Sequence, residues 1–150
     1  MHICWSFLDK KRATVSALEA FTSMEFIINH TDDEILKVRT GLEGVGAQNL
    51  SGMPKAGDPQ ASEDRLVNGI AEIDVLKERY RQAVEYMSWF KPAWEQLSEE
   101  ERYVLELFYL SDSTGAAEWI AEELGIDRKT AYVKRTRAEN HLSTLLYGNW

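Results

Sequence analysis

Leu124-Gly125-Ile126-Asp127-Arg128-Lys129-Thr130 is the stretch on which the fold of this chain turns. Glycine takes up the left-handed turn that closes a helix more readily than any other residue, and aspartate accepts hydrogen bonds from the free amides of a helix that follows it. Ile126, between them, plugs the gap between two helices. Upstream, Ala116 to Leu124 reads as a short helix with Ile120, Ala121 and Leu124 inward. Downstream, Ala131, Ala138, Leu142 and Leu145 predict a helix from Arg128 to about Leu146 with those four on its buried stripe. A bracing helix, a glycine turn and a second helix make a helix-turn-helix, whose second helix presents its N-terminal residues to the major groove of DNA. An ordinary helical hairpin with a basic solvated face has the same pattern.

Charge separates the two. Asp127 to Tyr147 holds five basic and two acidic side chains, a net of +3, in a chain of net charge −8. The 126 residues before it hold the other 12 basic and 23 acidic side chains. A basic patch on an acidic body is an electrostatic footprint for a polyanion at one end, so DNA is the expected partner of the second helix.

Further upstream, Leu97-Ser98-Glu99-Glu100-Glu101-Arg102 is a capping box. A helix therefore starts after Ser98 and runs to Leu110, with Val104, Leu105, Phe108 and Tyr109 on its apolar face. Ser111 to Gly115 is polar and breaks it. Glu99, Glu100 and Glu101 read most simply as acids favoured at a helix N-terminus.

The first ninety residues carry heptad spacing. From about Asp9 to Leu42, Phe21, Met24, Ile28, Ile35, Val38, Leu42 and Val45 alternate by threes and fours, with Thr31 interrupting the row. His30 to Glu34 either lies within one helix or splits the segment in two, because Thr and Asp are good caps and poor helix interiors. Glycines 41, 44 and 46, followed by Ser51, Gly52, Pro54, Gly57, Asp58 and Pro59, predict a loop near residues 44–61. Ser62, with Glu63 and Asp64 behind it, caps the next helix, which runs to about Phe90. Leu66, Ile73, Tyr80 and Met87 recur every seven, with Ile70 and Val84 in the companion row and Lys77 interrupting it. Pro92 and the aromatics Trp89, Phe90 and Trp94 mark the joint to the C-terminal third, the aromatics being read as core packing. The expected fold is all-α: an antiparallel, coiled-coil-like helical hairpin over residues 1–92, then a helix-turn-helix domain over 93–150. The heptad rows carry enough apolar surface for a homodimer through the hairpin.

Leu97 to Leu105, Ile120-Ala121, Leu124-Gly125-Ile126, and Thr130 to Arg137-Ala138 with Leu142 resemble region 4 of sigma-70-type factors, the module that reads the promoter −35 element. The match covers roughly the last third of the chain. A hairpin with a Ser51-Gly52-Met53-Pro54 loop before such a module is similar to small sigma-70 region 4-like transcriptional regulators of phages and prophages of Gram-positive bacteria. Arg135 and Glu139 stand where the family is usually apolar, and Trp119 where it often has an acid. Either the core beneath the recognition helix is rearranged, or Arg135 lays its stem along it with its head in solvent. Nothing in the first ninety residues resembles the sigma region that melts the −10 element, so a complete initiation factor is not expected.

Carried over position by position, the resemblance implies that Arg128, Lys129, Tyr132 and Val133 face base edges. It implies that Thr130, Lys134 and Arg137 lie on the flanks against phosphate. The expected function is a sequence-specific DNA-binding transcription regulator reading double-stranded DNA with a recognition helix at 128–146. The alternative is a module that binds RNA polymerase or another regulator without reading DNA. Catalysis is not expected: His2, His30 and His141 are scattered, no glycine-rich phosphate loop is present, and Cys4 stands alone. No cofactor or metal is implied. No apolar run reaches the length of a membrane span and one cysteine forms no internal disulfide, so the expectation is a cytoplasmic protein without membrane contact.

Overall fold

The computed structural model describes residues 8–47, 59–111 and 114–148. It is all-helical, with no strand among the described residues. Helix α1 spans Lys10–Ala47, α2 Pro59–Gln96, α3 Glu99–Leu105, α4 Ala116–Leu124 and α5 Arg128–Tyr147. Cys4 and the Ser51–Pro54 loop lie outside the described residues. So does most of the turn-rich segment, although Gly44 and Gly46 are still part of α1.

Helix α1 is unbroken through His30–Glu34. The reason is visible at Thr31, which is buried and whose hydroxyl donates to the Ile27 carbonyl at 2.6 Å. Thr14, also buried, does the same to Lys10 at 2.7 Å. A threonine that satisfies its hydroxyl one turn back sits in a helix interior instead of capping a new helix.

Helix α2 differs from expectation at both ends. It begins at Pro59 and not after Ser62, because proline at the first helical position has a suitable φ and lacks an amide that would be unpaired there anyway. It continues through Pro92 to Gln96. One backbone bond is lost at Pro92, but Phe90, Ala93, Trp94 and Leu97 are buried on either side and hold the last turns in place.

The described residues form two compact units, one of residues 8–24 with 86–148 and one of 25–47 with 59–85. The expected boundary at 92/93 falls inside α2. In the second unit Glu34 of α1 lies 3.9 Å from Arg79 of α2, and Leu42 of α1 lies over Gly69 of α2. The buried α2 positions here are Gly69, Ile73, Leu76 and Ala83. The companion row is therefore 69/76/83, one residue before the expected Ile70 and Val84, both of which are exposed, as is Leu66.

In the first unit, one cluster joins Ala17, Leu18, Phe90, Trp94, Leu97 and Leu105 to Ala138, Leu142 and Leu146. Phe21 stacks 6.0 Å from Trp94, and the Tyr86 hydroxyl donates to the Ala17 carbonyl. A second cluster unites Val104 of α3, Ala117 and Ile120 of α4, and Ala131 of α5. The α5 stripe ends on Leu146 and not on Leu145, which is exposed; three and four residues past Leu142 are both open to a helix. On α4, Ala116 and Ala117 are buried with Ile120, while Ala121 and Leu124 are only half-buried. No helix among the described residues is long and apolar enough to cross a membrane.

Candidate nucleic-acid interface

The geometry of α5 begins with its caps. Gly125, at φ 63°, closes α4 in the left-handed conformation with its amide on the Ala121 carbonyl. Two residues later Asp127 caps α5, accepting from the Thr130 amide at 3.2 Å and from the Thr130 hydroxyl. These bonds hold the Asp127 carboxyl below its ordinary pKa, the Thr130 hydroxyl contributing most. Ser98 and Glu101 complete the capping box of α3 reciprocally, at 2.9 and 3.2 Å.

Helix α3 does not run on as an ordinary α-helix. Over Glu106–Leu110 it widens to a π-helical turn, closed by the Ser111 amide on the Glu106 carbonyl at 2.9 Å. Both Phe108 and Tyr109 of this turn reach α5. The Phe108 ring lies 5.6 Å from that of Tyr132, and the Tyr109 hydroxyl donates to Glu139.

The face of α5 opposite its core carries Arg128, Lys129, Tyr132, Val133 and Arg137, all exposed, with Asn140 continuing it. Those are five of the seven expected contact residues, on one surface. Thr130 is half-buried and spent on the Asp127 cap. Lys134 is turned toward α3, where its ammonium meets Glu100. Beside it the His141 Nδ1 lies 2.9 Å from Glu101. Burial pushes the Glu101 carboxyl up, but the Ser98 amide and His141 outweigh that and hold it below its ordinary value.

The charge on α5 is partly answered from within the protein. Arg128 Nε lies 3.1 Å from Glu118 Oε1 of α4, and its guanidinium is 5.9 Å from the Tyr132 ring. The Tyr132 oxygen, then Glu118, raises the Arg128 pKa above its ordinary value. Lys129 and Arg137 have no ion pair among the described residues. Trp119, 60% exposed, sits on the outer face of α4 beside the exposed Glu118, Glu122 and Glu123.

Sequence reasoning missed these acidic partners, because Glu118 and Glu100 meet α5 only through tertiary packing. It also left open the fate of Arg135 and Glu139. Glu139 is buried at 2% exposure; Arg135 Nε lies 3.1 Å from its Oε1, and the Arg135 guanidinium covers Phe108 at 5.1 Å and Tyr132 at 5.3 Å. The Arg135 side chain, 30% exposed, is thus stacked over two rings and not spread into solvent. Among the described residues no group of three or more His, Cys, Asp or Glu is placed to hold a metal ion. No family model, curated protein or solved structure matches the chain.

Proposed function

We propose that this protein is a sequence-specific DNA-binding transcription regulator built as an N-terminal antiparallel, coiled-coil-like helical hairpin and a C-terminal helix-turn-helix. In this reading α4 braces, and α5 is the recognition helix that enters the major groove. The observation that carries it is the division of α5 into two faces. Ala131, Ala138 and Leu142 are fully buried on one, while Arg128, Lys129, Tyr132, Val133 and Arg137 are exposed on the other. Arg and Lys in the first turn have the donors that guanine O6 and N7 accept, and Tyr132 and Val133 offer apolar surface to a thymine methyl. Arg137, more than two turns further on, is suited to phosphate. The protein works in the cytoplasm in this reading, with a second copy as partner through the exposed apolar side chains of α2.

Selection from a randomised duplex pool tests it. Enrichment of one motif, with binding that weakens steeply as salt rises, is the expected result. Recovery of no motif together with salt-insensitive behaviour overturns it.

A second reading has its own support: a module that binds RNA polymerase or another regulator without reading DNA. The pairing of Arg128 with Glu118 and of Lys134 with Glu100 lowers the effective positive charge of α5, and the exposed Trp119 among carboxylates is a protein-facing surface in character. Retention on heparin and on random duplex separates the two, being expected only of the first.

A further inference from the structure

We infer that Glu139 and Arg135, neither of them on the face offered to DNA, are positioning residues that hold Tyr132 and, through it, Arg128 in one fixed orientation. The consequence for base reading rests on the DNA-binding function proposed above; the positioning itself rests on contacts within α5 and the π-helical turn, which act on Arg128 together with its 3.1 Å contact to Glu118 of α4.

Arg128, Tyr132, Arg135 and Glu139 are spaced by four, three and four, so each is the next neighbour of the last along one edge of the helix. Their contacts run in that order. Glu139 is anchored in the interior, where its Oε1 takes the Tyr109 hydroxyl and lies 3.1 Å from Arg135 Nε. A carboxylate this deeply buried loses its hydration, which disfavours keeping it unless its charge is used locally.

The Arg135 Nε–H is not aligned on that oxygen as a hydrogen bond. Charge draws the guanidinium inward, and stacking fixes its plane over Phe108 and Tyr132, at 5.1 and 5.3 Å. Tyr132 is thereby confined between Phe108, Arg135 and Arg128, whose guanidinium approaches the same ring at 5.9 Å. The ladder starts at a buried residue and ends at the exposed first turn of α5. An arginine so supported loses little rotamer freedom on meeting a base, whereas an unsupported one must be ordered at the moment of binding.

Arg135→Lys tests this without removing charge. Lysine keeps the pairing with Glu139 but has no plane to stack on two rings. Glu139→Gln removes the anchoring charge and keeps an acceptor for Tyr109. Arginine Nε–Hε relaxation in the free full-length protein reads the positioning directly. Arg128 is expected to be more mobile in both variants than in the parent while the folded amide spectrum persists. On DNA from the selected motif, discrimination at the base pair that Arg128→Ala relaxes is expected to fall about tenfold in Arg135→Lys. If Glu139→Gln does not fold, Arg135→Lys alone decides. Arg128 equally ordered in the folded variant overturns the inference, whatever happens on DNA. A parent that distinguishes no duplexes, with Arg128 loosened in the variant, supports the positioning and overturns the DNA-reading function instead.

Discussion

Glu118 of α4 holds Arg128 of α5 through a 3.1 Å contact between Oε1 and Nε, so the arginine proposed to read DNA already has a carboxylate partner in the free protein. Groove entry must break or share that contact and brings Glu118 toward phosphate. Glu118→Gln is expected to tighten binding about two- to fivefold, the range set by the modest strength of an exposed ion pair. Fluorescence anisotropy on the selected duplex measures it, and weaker binding by the variant would show that Glu118 orients Arg128 rather than competing for it.

Reading and anchoring separate along α5. Alanine at Arg128 or Lys129 is expected to cost about 1 to 3 kcal/mol on the selected site and to relax base preference. Arg137→Ala is expected to weaken selected and random duplex alike and to lower the salt slope by about one unit. Titrations at several salt concentrations check both. Equal losses on specific and random DNA for all three variants would reduce α5 to a basic patch.

Glu101 makes α3 acid-sensitive. Its carboxyl pKa is lowered in the folded protein from an ordinary value of 4.5, so its contribution is complete above about that pH and is lost as pH falls through the lower folded value. In Glu101→Gln the capping geometry persists without the titrating charge. Thermal melts from pH 7 to pH 3 should show the parent's advantage over this variant shrinking below about pH 4.5. A difference that is the same at pH 3 and pH 7 would mean that the charge of Glu101 adds nothing to the cap.

Two glycines in helices answer the same substitution differently. A Cβ on Gly41 meets nothing, so Gly41→Ala is expected to stabilise by about 0.5 to 1 kcal/mol through helix propensity. A Cβ on Gly69 would come within 2.6 Å of Leu42 Cδ2 and 2.8 Å of Cδ1, so the Leu42 side chain must shift and Gly69→Ala should fall short of that gain. Urea denaturation of the two variants compares them; an equal gain would show that Leu42 has room to move.

The exposed apolar residues Leu66, Val67, Ile70 and Val75 of α2 give self-association a surface. Light scattering on the order of 50 μM protein should show a dimer, and Ile70→Glu should weaken it. A monomer at that concentration would leave these side chains without a second copy as partner.

Features set by neighbours in sequence were legible from sequence alone. The Ser98–Glu101 box and the Gly125–Asp127 link arise from local hydrogen-bonding chemistry, and both form as expected. The seam of α2 was missed by one residue because its true row alternates small Gly69 and Ala83 with Leu76. Hydrophobic periodicity favours the bulkier Ile70 and Val84 next door, and these face outward. At Glu139 position and chemistry disagree: the spacing puts it near the core, the side chain suggests the surface, and burial holds because Tyr109 and Arg135 reach it. The widened turn at Glu106–Leu110 leaves no composition signal, so nothing in the sequence announced that Phe108 and Tyr109 would both touch α5.

Gly125 has empty space where a side chain would go, yet its φ of 63° lies where L-residues are strained. Handedness, and not room, limits this position. A library randomised there should return glycine, with asparagine as runner-up, as narrowly as one randomised at a packed core residue, although the site is open to water. Tolerance to mutation along the chain will therefore not track burial: the α4–α5 link will resist drift as an exposed position, while the neighbouring half-buried Ala121 and Leu124 have wider choice.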